Sequence, residues 1–306
     1  MNEKPLTPAD YRTPVHNNWC PGCGDFGIVA ALQKALLEMQ IRPENALIVS
    51  GIGCSGKTPH YVGTYGIHTI HGRSLPIATG AKIANHDLTV IDVGGDGDGL
   101  AIGAGHFVNF GRKNSDILYM IYNNGVYALT KGQASPTVDK GMKTKSMEEP
   151  SIKEPINPVS MAIQCGYTFV ARAYSYDINQ LTNLIKQGVE HRGSAFIDII
   201  QACPTYNDIK TKEYFTPILY DLQKDGYDAV VKNPADTNEV KEKKLAAITK
   251  SWETGPKYPS GIFFKVNFPT YEDYLMEKMP MMKEKPLAKH GISGIKVGKL
   301  MEELTF

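Results

Sequence analysis

The chain has 306 residues, 42% of them apolar, with 33 basic and 32 acidic side chains and a formal net charge of +1. The apolar share suffices for a substantial core, and the near-neutral balance offers no basic face for nucleic acid. No apolar run reaches the roughly 18 residues of a transmembrane helix, so no membrane span is expected.

The opening stretch from Met1 to Pro8 lacks the apolar segment of a signal peptide. Five cysteines cannot all pair. A reducing compartment, the cytoplasm, is therefore expected, where cysteines bind metal or stay as thiols.

The segment to residue 24 carries Trp19-Cys20-Pro21-Gly22-Cys23-Gly24 in a turn-rich loop. Phe26, Ile28, Val29, Leu32 and Leu36 predict an amphipathic helix from Phe26 to Met39, with Asp25 placed to cap it. Ala46-Leu47-Ile48-Val49 is a buried strand running into Gly51-Ile52-Gly53-Cys54-Ser55-Gly56. Residues 57–80, rich in Gly, His and Thr, form a long functional loop around His71-Gly72-Arg73. The next strand, Leu88 to Val93, enters Gly94-Gly95-Asp96-Gly97-Asp98-Gly99, and residues 100–110 suit a helix lined by small residues. Ile117 to Tyr122 is a further strand, ending at Asn123-Asn124-Gly125.

An extended polar loop covers residues 131–158. A short helix from Val159 to Gln164, a strand from Thr168 to Ala173, a helix starting near Asp177 and a strand from Ala195 to Ile200 follow. That last strand stops just before Cys203. Beyond residue 210 the chain is charged and less regular, with a helix near 237–252 and an aromatic patch from Phe263 to Phe268. No internal repeat is present.

Strands alternating with helices predict an α/β fold with a mainly parallel central sheet. The expected division is a cysteine-containing segment (1–24), a cofactor domain (25–210) and a C-terminal extension for contacts between subunits (211–306). Cys54, Asp96, Asn124 and Cys203 all lie just past C-terminal strand ends, the edge where open α/β sheets bind ligands.

Cys20, Cys23, Cys54 and Cys203 come from three segments and suit a thiolate metal site. Three readings are open: an iron–sulfur cluster, a zinc site, or a redox dithiol at the helix N-terminus. The cluster is favoured because the Cys54 loop also lies at the ligand edge, where an electron acceptor has a use. Cys165, at the end of an apolar helical pattern, is read as a buried thiol. Gly51 to Gly56 also fits G-x-G-x-x-G, yet no strand with an acidic end follows about 20 residues later. A nicotinamide site is rejected on that ground.

A carboxylate between glycines at a strand end can bind a hard cation while nearby amides reach phosphate oxygens. Asp96 is the candidate; Asn124, 28 residues on, can add a neutral oxygen, and Val126 a carbonyl. Asp98 has two open uses, capping the next helix or contacting phosphate through the Gly97-Asp98 backbone amides. Asp92, inside its strand, is read as structural. His71 is assigned to cofactor contact and Arg73 to a structural or subunit ion pair. Lys57 and Lys131 are cations near the active edge, with solvated lysine as the alternative.

These motifs, with Cys203-Pro204-Thr205-Tyr206-Asn207 closing the series, resemble beta subunits of archaeal-type 2-oxoacid:ferredoxin oxidoreductases of the thiamine diphosphate superfamily, over residues 16–215. The resemblance implies a thiamine diphosphate-binding fold with an N-terminal cluster-binding loop. It implies that Cys20, Cys23, Cys54 and Cys203 hold one [4Fe-4S] cluster, and that Asp96, Asn124 and the Val126 carbonyl bind Mg2+. Ile52, Gly53, Cys54, Ser55, His71, Gly97, Asp98, Ala128 and Leu129 would contact the cofactor. Lys57 and Lys131 would stand near the entrance for the 2-oxoacid or coenzyme A.

The implied reaction is coenzyme A-dependent oxidative decarboxylation of a 2-oxoacid, such as pyruvate or 2-oxoglutarate, to acyl-CoA and CO2. Electrons would pass through the cluster to ferredoxin. No glutamate suited to activating the aminopyrimidine ring is evident. The family assigns that residue, and the pyrimidine-binding domain, to an alpha subunit, so this chain resembles half of an active site. A simple thiamine decarboxylase would leave the four cysteines without a task. A bare metal-binding module would leave the diphosphate motif without one.

Overall fold

Short apolar runs rich in Ile and Val suit strands buried on both faces, the situation in a parallel sheet covered by helices. In the computed structural model, which describes residues 4–290, such runs supply the centre of the fold. The strands in chain order are β1 (Ala46–Ser50), β2 (Tyr65–His68), β3 (Thr89–Gly95), β4 (Ile117–Asn123), β5 (Val126–Tyr127), β6 (Gln133–Ala134), β7 (Phe169–Tyr174), β8 (Ser194–Ile200), β9 (Leu219–Asp221) and β10 (Tyr258–Lys265). Eight of them form one sheet in the order β2-β1-β3-β4-β8-β7-β10-β9, and β5 pairs with β6 separately. All pairings in the large sheet are parallel except β7 with β10.

Side chains alternate across this sheet as strand geometry requires. Leu118, Met120 and Tyr122 of β4 meet the helices Asp25–Glu38 and Ile178–Glu190 on one face. Ile117, Tyr119 and Ile121 meet the helices Ser74–Ala84, Ala104–Lys113, Pro158–Cys165 and Thr237–Ser251 on the other. Each fully buried Leu, Ile or Phe contributes about 1.5–3 kcal/mol by leaving water. The helix ends are set locally. Asp177 accepts from the Gln180 amide, and Asn157 caps the helix that ends at Gly166 with φ 93°.

Several expectations change. The helix starts at Asp25 with Gly24 as N-cap, so Asp25 is not the cap but its first, buried residue. Residues 57–80 are not a plain loop: they include β2 and most of the helix Ser74–Ala84. The predicted helix over 100–110 splits into a wide π-type turn, Asp98–Ile102, and the helix Ala104–Lys113. In the segment after residue 210, β9 and β10 extend the main sheet and Thr237–Ser251 packs on its face. Residues 291–306 of the expected extension lie outside the described residues.

His191, just after the helix Ile178–Glu190, is only 4% exposed, with Nε2 2.8 Å from the Thr168 hydroxyl. Burial, helped by the charge of Lys265 and opposed by that of Asp116, lowers its pKa to about 4. As pH falls below about 6.5 the unfolded chain takes up this proton first, so stability falls until the folded ring protonates near pH 4. The expected loss is about 3 kcal/mol across that window. Urea melts of wild type and His191→Phe check it: the variant should lack this part of the pH slope.

Candidate active site

The chain leaves β1 outward to β2 but leaves β3 inward to β4, so the loops after β1 and β3 part at the C-terminal edge. Open α/β sheets bind ligands in such a crevice. Here it holds a cleft of about 580 Å³ lined by Ile52 to Ser55, Gly95 to Asp98, Asn124, and Val126 to Thr130, with Asp25, His71 and Tyr122. Every residue assigned by sequence to Mg2+ or the thiamine cofactor lies on this lining. Lys57 and Lys131 do not: Lys57 Nζ donates to Asn18 Oδ1 at 3.0 Å, and Lys131 is exposed at φ 81°.

At one end, adjacent parallel strands β3 and β4 carry Asp96 and Asn124 just past their ends. Asp96 is 1% exposed, and its Oδ2 accepts from the Gly125 amide (3.0 Å), Ser135 (2.5 Å) and Thr137 (2.5 Å). Burial raises its pKa, and those hydroxyl and amide donors draw it back. Asn124 Oδ1 accepts from the Val126 amide at 3.0 Å, and its carbonyl accepts from Asn207 Nδ2 at 2.9 Å. A buried carboxylate, an amide side chain and local carbonyls form an all-oxygen set that fits Mg2+.

The Asp98 side chain does not cap the following turn, whose N-cap is Gly97. Its Oδ1 accepts from the amides of Ile52 (2.9 Å) and Gly72 (2.8 Å) and meets His71 Nδ1 at 2.5 Å. The carboxylate thus ties the β1 loop and the His71 loop together. Gly51 has to be glycine here, since a Cβ would sit 1.8 Å from Asp98 Oδ2. Gly97 is equally constrained: a Cβ there would lie 2.2 Å from the Tyr127 ring. Arg73 makes no ion pair among the described residues of this chain; it donates to the carbonyls of Gly72 and Ile102.

Of the four cysteines, Cys54 lines the same cleft. Strands β1 and β8 stand three places apart, roughly 14 Å. Their loops still bring Cys23, Cys54 and Cys203 within electrostatic reach of one another, and Cys54 of Cys20, although among the described residues no three Cys, His, Asp or Glu side chains are drawn into a group that could hold a metal ion. The Trp19 indole fixes one side, donating to the Cys54 carbonyl at 2.8 Å and packing edge-on against Tyr61 and Phe26. Gln201 Nε2 stands 3.1 Å from Cys23 Sγ.

Burial pushes the Cys23 thiol far up and Cys54 to about 12, in each case with Asp25 adding to the effect. Burial also raises Cys203, against the backbone amides of Tyr206, Thr205 and Asn207, which favour its thiolate. Amides aimed at a thiolate are how iron–sulfur sites hold and tune their sulfurs, so this donor set fits a cluster. Cys165 is half-buried on the helix Pro158–Cys165, away from this group.

Sequence reasoning missed Ser135, Thr137, Tyr127 and Asn207, and gave Asp25 the wrong task. Asp25 is 1% exposed, and neither of its oxygens has a hydrogen-bond partner. Burial raises its pKa to about 7, with the Cys23 thiol and the Lys57 charge lowering it. It lines the cleft together with Cys54, and its charge acts on both Cys23 and Cys54.

Residues 51–199 match the family described as thiamine pyrophosphate enzyme, C-terminal TPP binding domain. Residues 203–278 match the family described as the C terminal of the pyruvate ferredoxin oxidoreductase beta subunit. The chain is 51% identical over 275 residues to 2-oxoacid:ferredoxin oxidoreductase 1, subunit beta, of Aeropyrum pernix, across 89% of this chain and 85% of that protein. The chain belongs to the 2-oxoacid:ferredoxin oxidoreductase beta-subunit family.

A second member, the 2-oxoacid:ferredoxin oxidoreductase subunit beta of Saccharolobus solfataricus, is 50% identical over 276 residues, across 89% of this chain and 90% of that one. Among solved structures, 2-oxoglutarate:ferredoxin oxidoreductase from Magnetococcus marinus superimposes with a TM-score of 0.82 at 33% identity, over 100% of this chain and 98% of that one. It was solved with 2-oxoglutarate, coenzyme A and succinyl-CoA bound. As a 2-oxoacid:ferredoxin oxidoreductase beta subunit, this chain is part of a thiamine diphosphate-dependent oxidoreductase and has an alpha subunit as its partner.

Proposed function

We propose that this beta chain supplies the diphosphate-gripping and electron-exporting half of a coenzyme A-dependent 2-oxoacid oxidoreductase. The carrying observation is that the buried Asp96 and Cys54, a thiol within electrostatic reach of Cys20 and Cys203, line one cleft. Asp96, Asn124 and the Val126 carbonyl would hold Mg2+, and Cys20, Cys23, Cys54 and Cys203 one [4Fe-4S] cluster. When bound, thiamine diphosphate supplies the electron sink for carbon–carbon cleavage, and the cluster supplies one-electron acceptance. The chain's own part is to neutralise the diphosphate, hold the β1 loop against Asp98 and keep water from the buried sulfurs.

An alpha subunit would complete the site with its glutamate and pyrimidine-binding domain. Lys57, beside Asp25 and Cys54, and the exposed Lys131 would meet the anionic substrate or coenzyme A at the mouth. Ferredoxin would receive the electrons in the cytoplasm; among the described residues no helix is long and apolar enough to cross a membrane. The ligands in the Magnetococcus marinus structure support 2-oxoglutarate as a substrate beside pyruvate.

The test is anaerobic purification with the alpha subunit and measurement of ferredoxin reduction with pyruvate, 2-oxoglutarate and 2-oxobutyrate, with and without coenzyme A. Reduction that needs both the 2-oxoacid and coenzyme A is expected. Its absence at full iron, Mg2+ and thiamine diphosphate occupancy would overturn the assignment.

A further inference from the structure

Asp96 is the cleft end of a buried polar chain that runs back into the sheet. Thr137 Oγ1 lies 2.5 Å from Asp96 Oδ2 and 2.8 Å from Asn123 Oδ1. Asn123 Nδ2 donates to Asp198 Oδ1 at 2.9 Å, and Asp198 Oδ2 accepts from Arg172 Nε at 2.9 Å. Arg172 and Asp198 are register partners on β7 and β8, and Asn123 ends the neighbouring β4. The pair is buried, with Arg172 only 2% exposed and its guanidinium 4.8 Å from the Tyr258 ring and 5.3 Å from that of Phe263.

The direction of this chain follows from donor chemistry. An ionised Asp198 only accepts, so the Asn123 amide nitrogen faces it and the Asn123 oxygen faces Thr137. Thr137 then has one hydroxyl proton between two pure acceptors, Asn123 Oδ1 and Asp96 Oδ2. Ser135, also within 3.1 Å of Thr137, brings a second proton to Asp96. Thr137 is therefore the joint between a rigid buried ion pair and the carboxylate at the cleft.

We propose that Thr137 is a positioning residue that links the Arg172–Asp198 pair, through Asn123, to the Asp96 carboxylate and so sets cation affinity. This rests on the reading of Asp96 as a Mg2+ ligand. A loss of outer partners to a metal ligand typically weakens affinity about 10–100-fold. Thr137 sits in a half-buried loop, so Thr137→Val keeps its shape without disturbing the core, unlike a change at Arg172 or Asp198.

The test uses the alpha–beta complex stripped of divalent ions, titrated with Mg2+ at saturating thiamine diphosphate in a calorimeter, with melting temperatures recorded alongside. Thr137→Val should weaken Mg2+ binding about tenfold or more. Thr137→Ser should restore it, and Asn123→Ala should weaken it less. The double variant should be no weaker than Thr137→Val alone, because both changes cut one chain. Wild-type affinity in Thr137→Val, or full additivity of the two changes, overturns the proposal. Asp96→Ala separates the two levels. If it retains wild-type affinity, the Mg2+ reading fails and the inference with it. If it loses affinity while Thr137→Val does not, only the relay is overturned.

Discussion

Cys203→Ala in the assembled alpha–beta enzyme should bring 2-oxoacid-dependent ferredoxin reduction to background while leaving thiamine diphosphate binding intact. Cys203 follows β8, is 6% exposed, and has the amides of Tyr206, Thr205 and Asn207 favouring its thiolate. Neighbouring thiols near Cys54 are pushed up by burial, so a bound metal has to displace their protons. Removing Cys203 would take away a proposed ligand and leave those amides without the sulfur they favour as a thiolate. Iron and zinc content, electron paramagnetic resonance of the reduced protein and retained thiamine diphosphate check the result together. Cys165→Ala, which changes a thiol outside this group, should behave as wild type. A full iron complement with normal coupled turnover in Cys203→Ala would remove Cys203 from the cluster. Stoichiometric zinc in place of iron in the wild type would revive the zinc reading.

Legibility divides along physical lines. β1, β3, β4, β7 and β8 are visible in sequence because a strand buried on both faces is an almost continuous apolar run. β2 is not, since Tyr65, Gly66, Ile67 and His68 are all exposed at the sheet edge and carry no burial pattern. The helix Ser74–Ala84 hides behind Pro76 in its first turn and an interior Gly80. β10 has the composition of a strand, but its antiparallel pairing with β7 breaks the strand–helix alternation that guided the division at residue 210. In the cleft, Asp96 and the cysteines stand out because glycines and prolines frame them. Ser135 and Thr137 do not, as hydroxyl residues in a polar loop resemble ordinary turn formers; only the β5–β6 pairing brings them over Asp96. Asp25 shows how a one-residue shift matters. With Gly24 as N-cap, its carboxyl turns from the helix end into the space beside the cysteines.

Asp96→Asn should weaken Mg2+ binding by more than the roughly 10–100-fold typical of an outer partner, because it alters the proposed ligand itself. The asparagine keeps the size of the side chain and offers an oxygen to part of the Ser135, Thr137 and Gly125 donor set. Asp96→Ala would instead leave those three donors without their acceptor, at about 1–3 kcal/mol for each buried one. Comparing the two separates loss of charge from loss of packing: both should bind Mg2+ poorly, but only the alanine variant should melt at a clearly lower temperature without the ion. Proton competition gives a second check. Burial raises the Asp96 pKa, so in the wild type protons compete with Mg2+ at a higher pH than for an exposed carboxylate. Affinity should fall as pH is lowered, and Asp96→Asn, which has no such proton, should show little of that dependence. A wild-type Mg2+ affinity in Asp96→Asn, with a wild-type pH profile, would place the cation elsewhere in the cleft.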